Sequence, residues 1–315
     1  MFICLIDPFV TYLNHHIMKT LITLLLSTNL LFSTQLVAQE SLSPYIKVGT
    51  SSNGIAEMAK AVKTALEAKG FEVIGSYHPE NNLNLSVIAF TRKDLQEAVI
   101  SVKDRGGLAG VLKVGLVKKG NSVTISYLNP EYLFNAYLRT KYQYFKTKLS
   151  KVTADTKAAM SALGSGSSGF GGSEEAEGLQ KYHYMMMMPY FDDPVELNEY
   201  PSFEEGLSVI RKNLTAKKGN TVKVFELVYK DKQVAVFGVG LLDKEEGEAE
   251  FLPIIGEDHI AAMPYEIILQ GKEVTMLHGK YRFALHWPEL TMGTFMKINS
   301  TPGNVEDMLE AICKP

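Results

Sequence analysis

The stretch Tyr182–Phe191 (YHYMMMMPYF) places one imidazole beside four thioethers. On an extended strand, side chains alternate between two faces, so His183, Met185 and Met187 would share one of them. Imidazole and thioether form a soft ligand set that suits Cu(I), and the same groups can ligate haem iron. Methionine also fills irregular cores, and a strand buried on both faces would have a similar composition. The sequence therefore leaves a metal or haem site and a packed core as alternatives.

Other aromatic and titratable residues are also candidates for contact with a ligand. His259 follows two acidic residues at the start of a short predicted helix, where an imidazole can carry protons near neutral pH. A capped helix end is the structural alternative at this position, and a packed core is the alternative for His286-Trp287. The residues predicted to bind a ligand are Tyr182, His183, Tyr184, His259, Tyr265, Glu266, His286 and Trp287.

The common catalytic signatures are absent from the sequence. It contains no Gly-x-Ser-x-Gly elbow, no His-Glu-x-x-His pair, no Cys-x-x-Cys pair and no phosphate loop. A formal Gly-x-Gly-x-x-Gly lies within residues 164–172 (GSGSSGFGG), but a predicted helix precedes it and acidic residues follow, which favours a flexible linker. No catalytic residue is therefore predicted. An enzyme with an unfamiliar site stays an alternative, with Glu266, His259 or Asp192 as acid–base groups.

Apolar periodicity and turn residues predict an α+β chain in which one order of elements occurs twice. Each half begins with a strand and continues with a helix, a strand pair, a helix, a hairpin and a helix, and the second half starts on a predicted strand at Tyr182–Tyr190. This repetition indicates a tandem duplication, whose two domains can pair about a pseudo-twofold axis as a homodimer would. The expected domains are residues 40–163 and residues 179–315, joined by a Gly/Ser-rich linker at 164–178.

The N-terminal residues predict export. The apolar run Leu21–Phe32 is shorter than the roughly 20 residues that a membrane-spanning helix needs, and it ends near small residues, as a secretory signal does. Residues 1–39 are assigned to a signal peptide cleaved after Ala38 or Gln39, with residues 1–17 as an extension that is not native. No cysteine stands at the cleavage site, so no lipid anchor is expected. The mature chain is predicted to be periplasmic or secreted, with an uncleaved anchor as the alternative.

Composition excludes some classes of protein. The formal net charge is −3, which gives no basic footprint for nucleic acid. The hydrophobic share, 46%, suits a folded core rather than a disordered chain. Of two cysteines, Cys4 lies in the predicted signal region, so Cys313 has no intrachain partner and no disulfide framework is expected.

Four segments together resemble a known family. They are LNPEYLFNAY (Leu128–Tyr137), YHYMMMMPYFDDPVEL (Tyr182–Leu197), HIAAMPYEI (His259–Ile267) and RFALHWPELTMGTFMKI (Arg282–Ile298). In combination they resemble the bacterial family catalogued as domain of unknown function 302. The resemblance implies a β-α-β4-α unit, similar to the TATA-binding-protein-like fold, with an antiparallel sheet and helices packed on one face. It implies two such units in tandem here and no established reaction.

These observations predict an exported, non-catalytic protein that binds a small molecule or an envelope protein. Its ligand is expected in a groove between the sheets or between the two halves, with no cofactor, no nucleic acid and no membrane span after cleavage. The alternative is a copper-binding or haem-binding protein that uses His183, Met185 and Met187.

Overall fold

Two large antiparallel sheets and one small two-stranded sheet organise residues 41–315, the part of the chain that the computed structural model describes. The strands are β1 (Ser41–Leu42), β2 (Tyr45–Ser51), β3 (Glu72–Tyr77), β4 (Leu85–Thr91), β5 (Leu112–Lys119), β6 (Ser122–Leu128), β7 (Ser168–Phe170), β8 (Glu174–Glu175), β9 (Val195–Glu199), β10 (Thr221–Tyr229), β11 (Val234–Leu241), β12 (Tyr265–Gln270) and β13 (Glu273–Met276). The helices are α1 (Ile55–Glu67), α2 (Lys93–Ile100), α3 (Pro130–Leu138), α4 (Tyr142–Ser161), α5 (Ala176–Leu179), α6 (Phe203–Thr215), α7 (Glu248–Ile255), α8 (Gly279–His286), α9 (Met292–Phe295) and α10 (Thr301–Cys313). The predicted α+β class is confirmed.

The predicted signal peptide, residues 1–39, lies outside the described residues. Within residues 41–315, no helix combines the length and the apolar character needed to cross a bilayer.

Both large sheets have the same strand order. Sheet 1 runs β3-β4-β5-β6-β2-β7 and sheet 2 runs β10-β11-β12-β13-β9, with every neighbouring pair antiparallel. Apart from β7, each sheet takes its strands from one predicted half, and the predicted order of elements occurs in both halves. Duplication as the origin of this repeat stays a prediction, as do the domain boundaries.

The helices that cover the sheets follow from local sequence. α1 buries Met58, Val62 and Leu66, which are four residues apart and therefore lie on one helix face, and this helix contacts β3, β4 and β5. α6 begins at Ser202, whose hydroxyl accepts a hydrogen bond from the N–H of Glu205 at 3.2 Å and so satisfies a free donor of the first turn. α6 contacts β10, β12 and β13. The two helices thus share contacts with two pairs of equivalent strands, β3 and β10, and β5 and β12.

Each half also covers the sheet of the other half with a short 3-10 segment. Residues Gly106–Gly110 contact β11 and β12, and residues Glu257–Ala262 contact β4, β5 and β6. The approach is close, since a Cβ on Gly115 of β5 would lie 2.9 Å from Cγ1 of Ile260. Because β5 is covered on both faces, both alternating sets of side chains in residues 112–117 are buried.

A buried ion pair joins the two halves at equivalent positions. Lys113 and Glu266 are the second residues of β5 and β12 and stand opposite Ala89 and Gly238 in their sheets. The Lys113 ammonium donates a hydrogen bond to the Glu266 carboxylate, and the two side chains are 2% and 4% exposed. Arg282 Nη2 lies 3.6 Å from the other oxygen of Glu266, so one carboxylate serves two cations. Burial lowers the pKa of Lys113, although Glu266 favours its charged form.

A second pair of residues at equivalent positions also joins the two halves. Tyr137 and His286 are the eighth residues of α3 and α8, and the Tyr137 hydroxyl lies 2.9 Å from Nε2 of His286. Two pairs of equivalent residues therefore meet across the halves, as expected for pairing about a pseudo-twofold axis.

The predicted strand at Tyr182–Tyr190 is wrong. No strand lies between α5 and β9, and the backbone turns at Met185–Met188, where the N–H of Met188 donates to the carbonyl of Met185 at 3.1 Å. The run finds no neighbouring strand, and most of its methionines are exposed, so a packed core does not explain them. The strand of this half is β9, whose alternating apolar and polar residues gave a weaker signal than the methionine run.

Other segments also differ from expectation. Residues 164–172 were expected to be a flexible linker, but β7 within them pairs with β2 at the edge of sheet 1. Residues 130–161 form two helices, α3 and α4, rather than one, because Arg139 between them has a positive φ of 54°. α7 and α8 were not predicted, and Pro253 inside α7 masks its helical pattern.

Replacement of Glu266 by Gln removes the carboxylate that Lys113 and Arg282 share. We expect Glu266→Gln to lower the free energy of unfolding by about 3–5 kcal/mol, as when one partner of a buried pair is lost. Lys113→Met combined with Glu266→Gln should recover part of this loss, because one buried cation then lacks a carboxylate instead of two. Urea denaturation of the single and double variants measures both effects.

Lys119→Met is the control, since Lys119 and Asp258 form an exposed ion pair across the halves. It should change the free energy of unfolding by less than about 1 kcal/mol. A double variant that is no more stable than Glu266→Gln alone would contradict the expected recovery.

Candidate functional site

Four of the predicted ligand-binding residues lie in the closed interior. Tyr265, Glu266, His286 and Trp287 are buried, and the central guanidinium carbon of Arg282 lies 3.7 Å from the ring centroid of Tyr265. Burial, with help from the cations of Arg282 and Lys113, lowers the pKa of His286 well below its usual value, so this imidazole stays neutral. Glu266 and His286 contact Lys113 and Tyr137 of the other half, whereas Trp287 lines a small crevice beside Tyr184.

His259 and Asp192 each have partners within the protein. His259 is buried, and its Nδ1 donates to the carbonyl of Gly256 at 3.0 Å, while Nε2 lies 3.4 Å from the Glu289 carboxylate. Asp192 is exposed and forms an ion pair with Arg139. Both side chains therefore act in turns and loop contacts.

A buried carboxyl that the sequence did not suggest ties the halves together. Glu248, at the start of α7, is fully buried and accepts hydrogen bonds from the Tyr77 hydroxyl at 2.7 Å and from the N–H of Leu241 at 3.2 Å. The N–H of Glu80 lies 3.3 Å from its second oxygen. Burial raises the pKa of Glu248 to about 7, although the three hydrogen-bond donors oppose this shift. From sequence alone, an acidic residue at a helix start indicates only a solvated first turn.

An open groove of about 590 Å³, which we call the methionine groove, lies beside the turn at Met185–Met188. Its lining consists of His183, Met186, Met187, Met188, Pro189, Tyr190, Asp193, His278 and Lys280. Met186 and Met187 are 84% and 95% exposed. The groove is the place where the structure gathers thioethers and imidazoles at the surface.

The predicted set of His183, Met185 and Met187 is only partly brought together. His183 and Met187 line the methionine groove, whereas Met185 lines a smaller crevice with Tyr184 and Trp287. The alternation expected of a strand fails because the chain turns at this point. Met186, which alternation assigned to the opposite face, joins His183 instead.

His183 is held in one orientation. Its ring stacks on Tyr190 with the centroids 3.7 Å apart and the planes 7° from parallel. Nε2 lies 2.7 Å from the carbonyl oxygen of Met188, and because a carbonyl only accepts, Nε2 carries the hydrogen. In the neutral ring, Nδ1 therefore has the free electron pair.

Met187 has a backbone conformation that its side chain does not favour. Its φ is +71°, and it is the third residue of the turn, a position where a positive φ selects glycine or asparagine. A left-handed conformation costs a residue with a side chain about 1–2 kcal/mol. The exposed Met187 side chain contributes little packing in return, so folding does not explain a methionine here.

The ends of this loop are fixed by different parts of the chain. The buried Tyr182 donates from its hydroxyl to the carbonyl of Ala284 in α8 at 2.8 Å, and Asp192 binds Arg139 after α3. Nδ1 of His278 accepts a hydrogen bond from the N–H of Lys280 at 3.2 Å and caps α8. Burial, then the charge of Lys280, lowers the pKa of His278, so this cap stays neutral.

Another depression, also of about 590 Å³, lies where the two halves meet. A ligand between the halves stays a prediction. Glu97, Lys103 and Lys232 give its walls charges of both signs. No predicted site residue lines it.

Within residues 41–315, no group of three or more His, Cys, Asp or Glu side chains is placed to hold a metal ion. A metal in the methionine groove would therefore need thioether donors.

No protein-family model matches the chain. No curated protein matches it. Among solved structures, it is similar to the crystal structure of the uncharacterized conserved protein DUF302 from Bacillus stearothermophilus, at 14% identity and a TM-score of 0.31. The match covers 39% of this chain and 97% of that chain. The expected resemblance to a protein of that family is confirmed.

Replacing Met187 by glycine should remove the backbone strain that the positive φ imposes at this position. We expect Met187→Gly to leave the free energy of unfolding unchanged or to raise it by about 1 kcal/mol, because lost strain offsets the greater entropy of the unfolded chain. Met186→Gly is the matched control, since Met186 is also exposed but does not have a positive φ. It should lower the free energy of unfolding by about 0.5–1 kcal/mol. Urea denaturation compares the two, and the reverse order would contradict the strain at Met187.

The carboxyl of Glu248 should make stability depend on pH. In the folded protein it keeps its proton up to about pH 7, whereas the unfolded chain loses that proton near the ordinary value of 4.5. Its stabilising contribution is therefore fully present below 4.5 and is lost as the pH rises to about 7, on the order of 3 kcal/mol. Glu248→Gln cannot ionise, so the difference in unfolding free energy, variant minus wild type, should increase between about pH 5 and about pH 8.

Urea denaturation at both pH values measures this difference. The control is Glu246→Gln, at an exposed position two residues before Glu248. Its difference from the wild type in unfolding free energy should be the same at both pH values. A pH-independent difference for Glu248→Gln would contradict a buried carboxyl that titrates near neutrality.

Proposed function

We propose that the mature chain is an exported, non-catalytic binding protein whose ligand site is the methionine groove. The observation that carries this proposal is the exposed turn at Met185–Met188, which surrounds a fixed imidazole although it contributes little to the core. Ligand sites are concave and combine apolar side chains with a few placed polar groups, and this groove combines exposed thioethers with a fixed imidazole and an ammonium group. Export is part of the proposal because of the apolar run Leu21–Phe32.

The polar groups of the groove are mostly engaged in holding its shape. Asp193 accepts a hydrogen bond from the N–H of Tyr190 at 2.9 Å, and Nδ1 of His278 is occupied by the cap of α8. What remains for a ligand is the thioethers, the ring faces, Nδ1 of His183 and the ammonium of Lys280. This set favours binding of a small molecule or ion with soft or apolar groups over acid–base chemistry on a substrate.

Trp287 offers a local reporter for binding. It is the only tryptophan of the protein, and it lines the crevice next to the methionine groove. Met188 lines both the crevice and the groove. A ligand in the groove would therefore lie next to the crevice that the indole lines.

Binding of 8-anilinonaphthalene-1-sulfonate, an apolar anion, tests whether the groove accepts a ligand. We expect its emission to rise on addition of the wild-type protein, with energy transfer from Trp287. A variant with Met186→Glu and Met187→Glu should bind the probe at least about tenfold more weakly, equivalent to roughly 1.4 kcal/mol, because two carboxylates replace the apolar wall.

Leu83→Glu is the control, since Leu83 is a strongly exposed apolar residue outside the groove. It should leave binding of the probe unchanged, and near-ultraviolet circular dichroism should show all variants folded. Equal binding by the wild type and the double glutamate variant would rule out the groove as the site.

A further inference from the structure

We infer that the methionine groove binds a soft monovalent metal ion, Cu(I), through Nδ1 of His183 and the thioethers of Met186 and Met187. This inference rests on the proposed function, because it names the ligand class of the same groove.

The first argument is the state of the imidazole. A metal-bound histidine commonly donates its second N–H to a carbonyl or carboxylate, which fixes the tautomer and the ring orientation. His183 already has this arrangement, with Nε2 2.7 Å from the Met188 carbonyl and the ring stacked on Tyr190. Its Nδ1 is therefore oriented as a donor before any metal arrives.

The second argument is the position of the thioethers. Met186 and Met187 line the same groove as His183, and they are among the most exposed apolar side chains of residues 41–315. Met187 holds a left-handed backbone that glycine would adopt more easily. A thioether kept at such a position, outside the core, indicates that its sulfur has a use beyond packing.

The third argument is the chemistry of the donor set. Thioethers are soft ligands that select Cu(I), whereas ions such as Mg²⁺ and Ca²⁺ require several oxygens. Asp193, which lines the groove, is engaged with the N–H of Tyr190. Cys313 is buried in α10, and burial raises the pKa of its thiol to about 12, so no thiolate competes in the described part of the chain.

The charge of the groove suits a singly charged ion. Asp193 and Lys280 line it with opposite charges, and His278 stays neutral as a helix cap. A monovalent ion therefore meets little net repulsion on entry.

Anaerobic titration of the purified mature chain with Cu(I), in competition with bathocuproine disulfonate, tests the inference. We expect one Cu(I) per chain, taken up with a change in Trp287 emission. Met186→Leu with Met187→Leu keeps the size and apolar character of both side chains but removes their sulfur atoms. This variant, and separately His183→Gln, should bind Cu(I) at least about tenfold more weakly, the scale of loss that even outer-shell changes produce.

Met292→Leu is the matched control, because Met292 is an exposed methionine outside the groove lining. It should bind Cu(I) like the wild type. The double leucine variant should still bind 8-anilinonaphthalene-1-sulfonate, because its groove stays apolar.

The outcomes separate the two proposals. Wild-type affinity for Cu(I) in the double leucine variant would overturn the inference, as would a wild-type chain that binds the fluorescent probe but no Cu(I), which would leave the proposed function intact. A chain that binds neither would overturn both.

Discussion

The interface between the two halves depends on the buried ion pair between Lys113 and Glu266. The two residues occupy equivalent places in β5 and β12, so two identical halves would set like charges against each other. Opposite charges at these places favour the pairing of unlike halves and disfavour that of like halves. A buried pair contributes little net stability but penalises wrong partners, because a lone buried charge is costly. The reciprocal 3-10 segments can then pack closely on the correct sheet.

Once the halves are joined, the groups that looked chemically active become structural. Glu266 and His286 serve the contact, and Glu248 links α7 to Tyr77 of the first half. The same polar groups that make a sequence resemble an active site are here desolvated and bonded to one another. The methionine groove stays at the surface, with thioethers and imidazoles in its lining.

The fold was predictable where side-chain periodicity reflects local burial. α1, α6 and the hairpin β5–β6 follow from apolar spacing and turn residues, and the repeated order of elements was visible in the sequence. The run at Tyr182–Tyr190 was wrongly predicted as a strand because four consecutive methionines are compatible with a strand and with a turn. Only the absence of a neighbouring strand to pair with distinguishes the two. His183 and Met187 line the methionine groove together with Met186, which alternation on a strand would have placed on the opposite face. Their role in binding stays a prediction. Nothing local in the sequence could place Glu248 beside Tyr77, since their contact is created by the joint.

The segment 182–192 is held at its two ends by different halves. Tyr182 donates a hydrogen bond to the carbonyl of Ala284 in the second half, and Asp192 forms an ion pair with Arg139 in the first. In an assembly of separate subunits, such a groove would vanish on dilution. Here the covalent connection keeps the effective concentration of each half for the other high, and it does not change with protein concentration. The connection also breaks the symmetry, since one loop joins two halves. The methionine groove therefore persists in dilute solution, whatever the concentration of the chain.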